Sequence, residues 1–196
     1  MITVCGAGTV GANLLENLAR TGLGPLRVVD QDRVEARNLR NQPYTSLQIG
    51  LSKPAALSEL LYYAAGVQLD TVEKTLREDN AGSLLRGSTL VVDGFDNAAS
   101  RRAVQLACRK LGLPCLHVGL SRDDYGEVVW DEHYQVPPDQ DGLPACREVD
   151  RNLAVFVVSV ATEVVKAFLK GGEKRSYAVT LGDLCVSPLS IGTCRH

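Results

Sequence analysis

The sequence has no Cys-x-x-Cys pair. Its six cysteines, Cys5, Cys108, Cys115, Cys146, Cys185 and Cys194, stand apart from one another. Four thiolates close a tetrahedral zinc site, and scattered ones do not make that pattern, so no structural zinc is expected. No secretory leader is expected either, because Met1 leads straight into an apolar, β-rich segment. The expectation is therefore reduced thiols in the cytoplasm rather than a disulfide framework. Cys5, Cys108 and Cys115 lie inside apolar patterns and are assigned to the core. Neither sign of charge is in excess: 21 Lys and Arg face 23 Asp and Glu, for a net charge of −2. That balance gives no argument for nucleic acid or an anionic membrane as partner. The longest apolar stretch, 153–169, is broken by Glu163 and Lys166. It reads as too short and too charged to cross a bilayer. No internal repeat or low-complexity tract is present. What remains is a 196-residue chain, 45% hydrophobic and 22% charged, of a size for one domain with a substantial core.

What is there begins at residues 3–11, Thr-Val-Cys-Gly-Ala-Gly-Thr-Val-Gly. A buried strand is expected over 1–5. Gly6, Gly8 and Gly11 then form a G-x-G-x-x-G turn, and a helical pattern from Thr9 to Thr21 puts Val10, Leu14, Leu15 and Leu18 on one side. In such a turn the first glycine permits the bend, the second lets backbone approach phosphate, and the third lets helix pack on strand. The helix start offers free N–H groups to an anion. A second strand, 26–29, runs into Asp30, nineteen residues after Gly11, where an acid can accept ribose hydroxyls. These features point to a nucleotide-binding α/β fold.

Residues 31–42 are polar and aperiodic, and read as a loop with one helical turn at most. Ser52 is a fitting N-cap for a helix that opens with Lys53-Pro54 and ends at Gly66. A strand is expected over 67–75, a short helix over 79–85, and a buried parallel strand over 89–93. Asn97 can cap a helix running to Leu111, and 114–118 is another strand. A turn at 121–126 and a short strand at 127–131 follow. Residues 134–151 contain three prolines and form the longest irregular segment, and loops of that length are commonly functional. Residues 153–170 are expected to be helical, stopped by Gly171-Gly172. Residues 177–181 and 184–189 read as a closing pair of strands.

Five segments together resemble the ThiF/MoeB family of adenylating enzymes: Gly6-Ala-Gly-Thr-Val-Gly11, Val29-Asp-Gln-Asp32, Asn38-Leu-Arg-Asn-Gln42, Gly50-Leu-Ser-Lys-Pro54 and Asp93-Gly-Phe-Asp-Asn97. The resemblance covers residue 2 to about 119 and returns from 153 onward. It implies a Rossmann-like, doubly wound α/β fold, mostly parallel, with helices on both faces and a short antiparallel C-terminal extension. Residues 1–196 would form one domain. A nucleotide-binding core (1–120) would be followed by a crossover loop, helix and closing strands (121–196).

The activity implied is adenylation by MgATP of the C-terminal glycine carboxylate of a small ubiquitin-like or sulfur-carrier protein ending in Gly-Gly, with release of pyrophosphate, in a homodimer. By resemblance, Asp30 binds ribose, Lys53 neutralises phosphate and Asp96 holds Mg²⁺. Asp32, Asn38, Asn41, Gln42 and Asn97 line the nucleotide site. A carboxylate approaching a polyanion needs its charge neutralised first, and a lysine with a metal does that. Mg²⁺ is content with one carboxylate plus phosphate oxygens and waters.

The sequence departs from the family at three places. The arginine of the Asn-Leu-x-Arg-Gln pattern falls on Asn41, with Arg40 one place earlier as the candidate cation. A helical segment that the family carries before the first strand has no counterpart. The paired zinc-binding cysteines are missing. Cys146, beside Arg147, is either a nucleophile that takes up the activated carboxylate or the remnant of a lost metal site. Two other readings stay open on the residues. An NAD-dependent oxidoreductase needs only the glycine turn and Asp30. A non-catalytic or partner-dependent nucleotide-binding subunit accommodates Asn41 and the absent segment.

Overall fold

The computed structural model describes residues 1–121, 123–138 and 149–189. Eight strands form one sheet: β1 (Ile2–Cys5), β2 (Leu26–Val29), β3 (Asp70–Val72), β4 (Leu90–Asp93), β5 (Cys115–Leu120), β6 (Tyr125–Trp130), β7 (Tyr177–Thr180) and β8 (Cys185–Pro188). Their order is β3-β2-β1-β4-β5-β6-β7-β8. The first five strands run parallel and the last three are antiparallel to their neighbours. From β1 the chain winds outward to β2 and β3, then returns to β4 on the other side of β1. Open α/β sheets bind ligands at such a reversal, outside the carboxyl ends of the strands.

The parallel strands are apolar on both faces, and their period-2 alternation divides the core in two. Val4, Val28, Val92 and Leu116 join one cluster, while Cys5, Val29, Val91 and Cys115 join the other. Helices α1 (Thr9–Arg20), α2 (Lys53–Ala65) and α5 (Arg151–Gly171) cover the first face. Helices α3 (Glu78–Leu84) and α4 (Ala98–Leu111) cover the second. The three cysteines assigned to the core are buried and free.

Helix ends follow their local chemistry. Ser52 caps α2 by accepting from the Ala55 N–H, with Pro54 in its first turn, and Gly66 closes it in the left-handed conformation. Asn97 caps α4 through the Ser100 N–H, and Asp150 caps α5 through the Asn152 N–H.

Two expectations need correcting. The strand expected over 67–75 pairs only across Asp70–Val72, at the sheet edge, where just one strand offers it hydrogen bonds. Helix α5 spans 21 residues and is, by length and composition, long and apolar enough to cross a membrane. Glu163 and Lys166 do not disqualify its most apolar 18-residue stretch. Leu153, Val157, Val158, Ala161 and Val165 are buried in the core that α1 shares, so its apolar side chains serve packing.

Candidate functional site

The glycine turn joins β1 to α1 at the centre of the sheet. Gly6 has φ +92°, a conformation that L side chains rarely adopt, and a Cβ there would press on Phe95 and Gly94. A Cβ on Gly11 would lie 1.8 Å from the Gly6 carbonyl oxygen, which is a clash with backbone. Gly8 has open space on its Cβ side, with no atom within 4 Å. It is also the N-cap of α1, which has no side-chain cap and no acid in its first turn. The turn is thus closed against the sheet and open where an anion would meet the helix start.

Asp30 follows β2 and binds this turn directly. Its two carboxylate oxygens accept the Ala7 N–H at 2.6 Å and the Asp32 N–H at 2.7 Å. Burial pushes its carboxyl up, against the two backbone N–H groups and the Lys53 charge that pull it down. Lys53, at the start of α2, is only 7% exposed. Its ammonium meets the exposed Asp32 carboxylate at 3.1 Å, and its own N–H donates to the Asp32 carbonyl at 2.8 Å. A buried lysine with one half-solvated partner is well placed to neutralise a polyanion. Tyr44 donates its hydroxyl to the Ala7 carbonyl at 2.8 Å, fixing the far side of the turn.

The polar loop holds a 3₁₀ turn, Ala36–Arg40. Asn38 is buried and accepts the Glu35 N–H at 2.9 Å. Asn41 is buried as well. Its carbonyl accepts from the Asn13 side chain of α1 at 2.8 Å, and its amide donates to the Val149 carbonyl at 3.4 Å. The position that resemblance would give to an arginine is therefore a structural tie between α1 and the chain entering α5. Gln42 is buried next to it, and its Oε1 has no hydrogen-bond partner among the described residues, an orphan that a ligand donor would satisfy. Arg40 is exposed and makes no ion pair among the described residues.

Beyond β4 the chain turns through Gly94-Phe95-Asp96-Asn97. The Gly94 N–H donates to the Cys5 carbonyl at 2.9 Å, which brings this turn against the glycine turn. Asp96 is exposed, with no ion pair among the described residues, while Asn97 takes the capping role. The Asp96 carboxylate is thus open to solvent and not used in capping. Mg²⁺ fits there on chemical grounds, as one carboxylate beside a phosphate-binding turn. No group of three or more His, Cys, Asp or Glu that could hold a metal occurs among the described residues. Cys146 and Cys194 lie outside them.

Behind this turn is a polar cluster that the sequence reading missed. His117, on β5, places Nδ1 2.8 Å from Asp93 Oδ2 and Nε2 3.3 Å from Asp131 Oδ1. Its ring stacks on Tyr134 at 3.9 Å and 11°. Arg101 donates to the Tyr134 hydroxyl at 2.7 Å and to the Val118 carbonyl at 3.0 Å, and lies 3.6 Å from Asp93. Gln105 and Arg109 each donate to Asp131 at 2.7 Å. Burial opposes charge on His117, but its two carboxylate partners prevail and raise its pKa. Asp131 is held well below the usual carboxylate range by His117, Arg109 and Gln105, against the pull of burial. A histidine inside Cys-Leu-His-Val and an arginine on the buried side of α4 were the available signals, because a buried polar residue needs a partner.

The structure therefore gathers Gly6, Gly8, Gly11, Asp30, Asp32 and Lys53 around one turn. The segments carrying Asn38, Asn41 and Gln42 and those carrying Asp96 and Asn97 adjoin it. Arg40 is exposed. The grooves along α2 (Ala55, Glu59, Tyr62, Tyr63) and beside Arg109 and Lys174 lie elsewhere.

The sequence profile of the ThiF family matches residues 1–182. A sulfur carrier protein adenylyltransferase of Thermus thermophilus is 31% identical over 163 residues, covering 75% of this chain and 60% of that protein. The probable adenylyltransferase/sulfurtransferase MoeZ of Mycobacterium tuberculosis is 30% identical over 190 residues, covering 88% of this chain and 48% of that protein. Among solved structures, E. coli MccB with ATP aligns at a TM-score of 0.82 over 97% of this chain and 63% of that one. Its 13% identity speaks to the fold alone. The chain spans about half to three fifths of the length of these proteins.

Proposed function

The chain belongs to the ThiF family, and from that premise we propose that it is an ATP-dependent adenylyltransferase. Its substrate would be the C-terminal glycine carboxylate of a small ubiquitin-like or sulfur-carrier protein ending in Gly-Gly. Relatives named for sulfur-carrier adenylation support that substrate class. One observation carries the reading: an open glycine turn, a buried Lys53 and an Asp96 with no ion pair among the described residues lie at the carboxyl ends of β1, β2 and β4. A nicotinamide enzyme has no use for the last two.

The reaction joins a carboxylate oxygen to the α-phosphorus of ATP and breaks the bond from that phosphorus to the bridging oxygen. Pyrophosphate takes the electron pair, and no proton transfer is required. The α1 N-terminus and Gly8 would hold phosphate, and Asp30 would accept the ribose hydroxyls with the lone pairs its backbone partners leave. Lys53 would exchange Asp32 for phosphate and offset the charge that two approaching anions build up. Gln42 would satisfy its orphaned oxygen on the nucleotide. Asp96 would hold Mg²⁺, which supplies Lewis-acid and charge-neutralising chemistry when bound.

Arg40 and Cys146 enter as lesser proposals, the first as a cation reaching the phosphates and the second as an acceptor thiol. A homodimer in the cytoplasm completes the reading. Calorimetry tests it: MgATP should bind and NADH should not. Tight NADH binding with none for MgATP would contradict it.

A further inference from the structure

We propose that His117 is a positioning residue for the Gly94–Asn97 turn, clamped between Asp93 and Asp131 so that the turn keeps one geometry against the glycine turn. This rests on the role given above to Asp96. Asp93 is fully buried at the end of β4 and uses its two oxygens differently. Oδ1 accepts the Phe95 N–H at 3.1 Å and so sets the turn's first bend. Oδ2 is held by His117 at 2.8 Å. If Oδ2 were free, the carboxylate would rotate about its side-chain bonds and release Phe95, whose ring lies where a Cβ on Gly6 would meet it at 3.2 Å.

The far end of the turn is tied to the same cluster. Asn97 caps α4, the Arg101 N–H donates to the Asn97 carbonyl at 3.2 Å, and the Arg101 guanidinium reaches Tyr134, Val118 and the vicinity of Asp93. Asp131, just after β6, anchors His117 from behind, and is itself held by Gln105 and Arg109 of α4. One end of the four-residue turn is therefore fixed by Asp93 and its imidazole partner, and the other opens α4, which meets the same cluster through Arg101, Gln105 and Arg109. A hydrogen-bonded network centred on buried His117 and Asp93 has few alternative geometries. Groups behind a metal ligand set its orientation even though they touch neither metal nor substrate.

The test uses His117→Phe, which keeps a ring on Tyr134 but removes both hydrogen bonds, and Asp131→Asn, a milder change acting through His117. Two readouts are taken on each folded variant, with Trp130 emission reporting the fold. Amide hydrogen exchange of the peptide covering 94–97 should accelerate in the protein without nucleotide. In ATP–pyrophosphate exchange, kcat should fall about 10- to 100-fold and the half-saturating Mg²⁺ concentration should rise, with KM for ATP little changed. His117→Gln, which restores one donor, should recover part of both. If His117→Phe does not fold, Asp131→Asn carries the same readouts. A folded variant with unchanged amide exchange at 94–97 and unchanged Mg²⁺ dependence overturns the proposal. Amide exchange that accelerates in a protein never active with ATP would leave the clamp standing and count against adenylation instead.

Discussion

Two polar clusters lie on either side of the β4–α4 turn, and they differ in what they leave unfinished. Among the described residues around the glycine turn, Gln42 keeps a buried oxygen without a partner, Gly8 faces open space, and Asp96 is exposed without an ion pair. Around His117, both ring nitrogens face carboxylates, and Asp131 has three side-chain partners. Buried polar groups are costly when unpaired. The closed cluster thus holds its neighbouring turn in place, whereas the orphaned Gln42 oxygen is a cost that a ligand would remove. Charge in a buried cluster therefore says little about function until its partners are counted.

The contrast would break most visibly at Asp96. Asp96→Asn keeps shape and leaves the Asn97 cap in place, so melting should be unchanged while metal-dependent pyrophosphate exchange is lost. Near-normal exchange would return Asp96 to a surface role. On the closed side, Asp93→Ala strands His117 and Arg101, and should cost ~3–5 kcal/mol in urea unfolding, the scale for breaking a buried pair from one side. A loss under about 1 kcal/mol, the scale of an exposed pair, would mean the cluster is solvated.

Lys53→Ala should leave the protein folded and remove ~2–4 kcal/mol of transition-state stabilisation, as for one lost preorganised donor. Measured kcat/KM for ATP reads that directly, and an unchanged value would take Lys53 out of the site.

The smallest effect concerns pH. Because the folded protein raises the His117 pKa, its contribution to stability is complete below about 6.5, the ordinary histidine value. That contribution is lost as pH rises through the folded pKa. Denaturant titrations should therefore show wild-type stability declining on the alkaline side of that window and His117→Gln declining less. Parallel curves would mean that His117 does not carry the charge.

Much of this was legible in the sequence where local chemistry decides. The helix over Thr9–Arg20, the Ser52 and Asn97 caps and the parallel strands follow from periodicity and capping alone. The edge strand β3 was overextended, because alternation shows what a strand could pair with and not whether a neighbour is present. Asp30 could be placed because motif spacing fixes its distance from the glycine turn, and Lys53 because the family resemblance singles it out. His117, Asp131 and Arg101 could not, because their pairing joins β5, the turn just after β6 and α4, and sequence spacing carries no information about that meeting. Asn41 was assigned to the nucleotide by its motif position, and only the fold shows it tied to Asn13 and Val149.

The central claim is adenylation of a carrier terminus, and pyrophosphate exchange into ATP tests it most directly. Purified protein is incubated with MgATP, labelled pyrophosphate and a sulfur-carrier protein ending in Gly-Gly. The account predicts label entering ATP only when the carrier is present, and none when its terminal glycine is removed. Absence of exchange across carriers ending in Gly-Gly, from folded protein that binds MgATP, would contradict it.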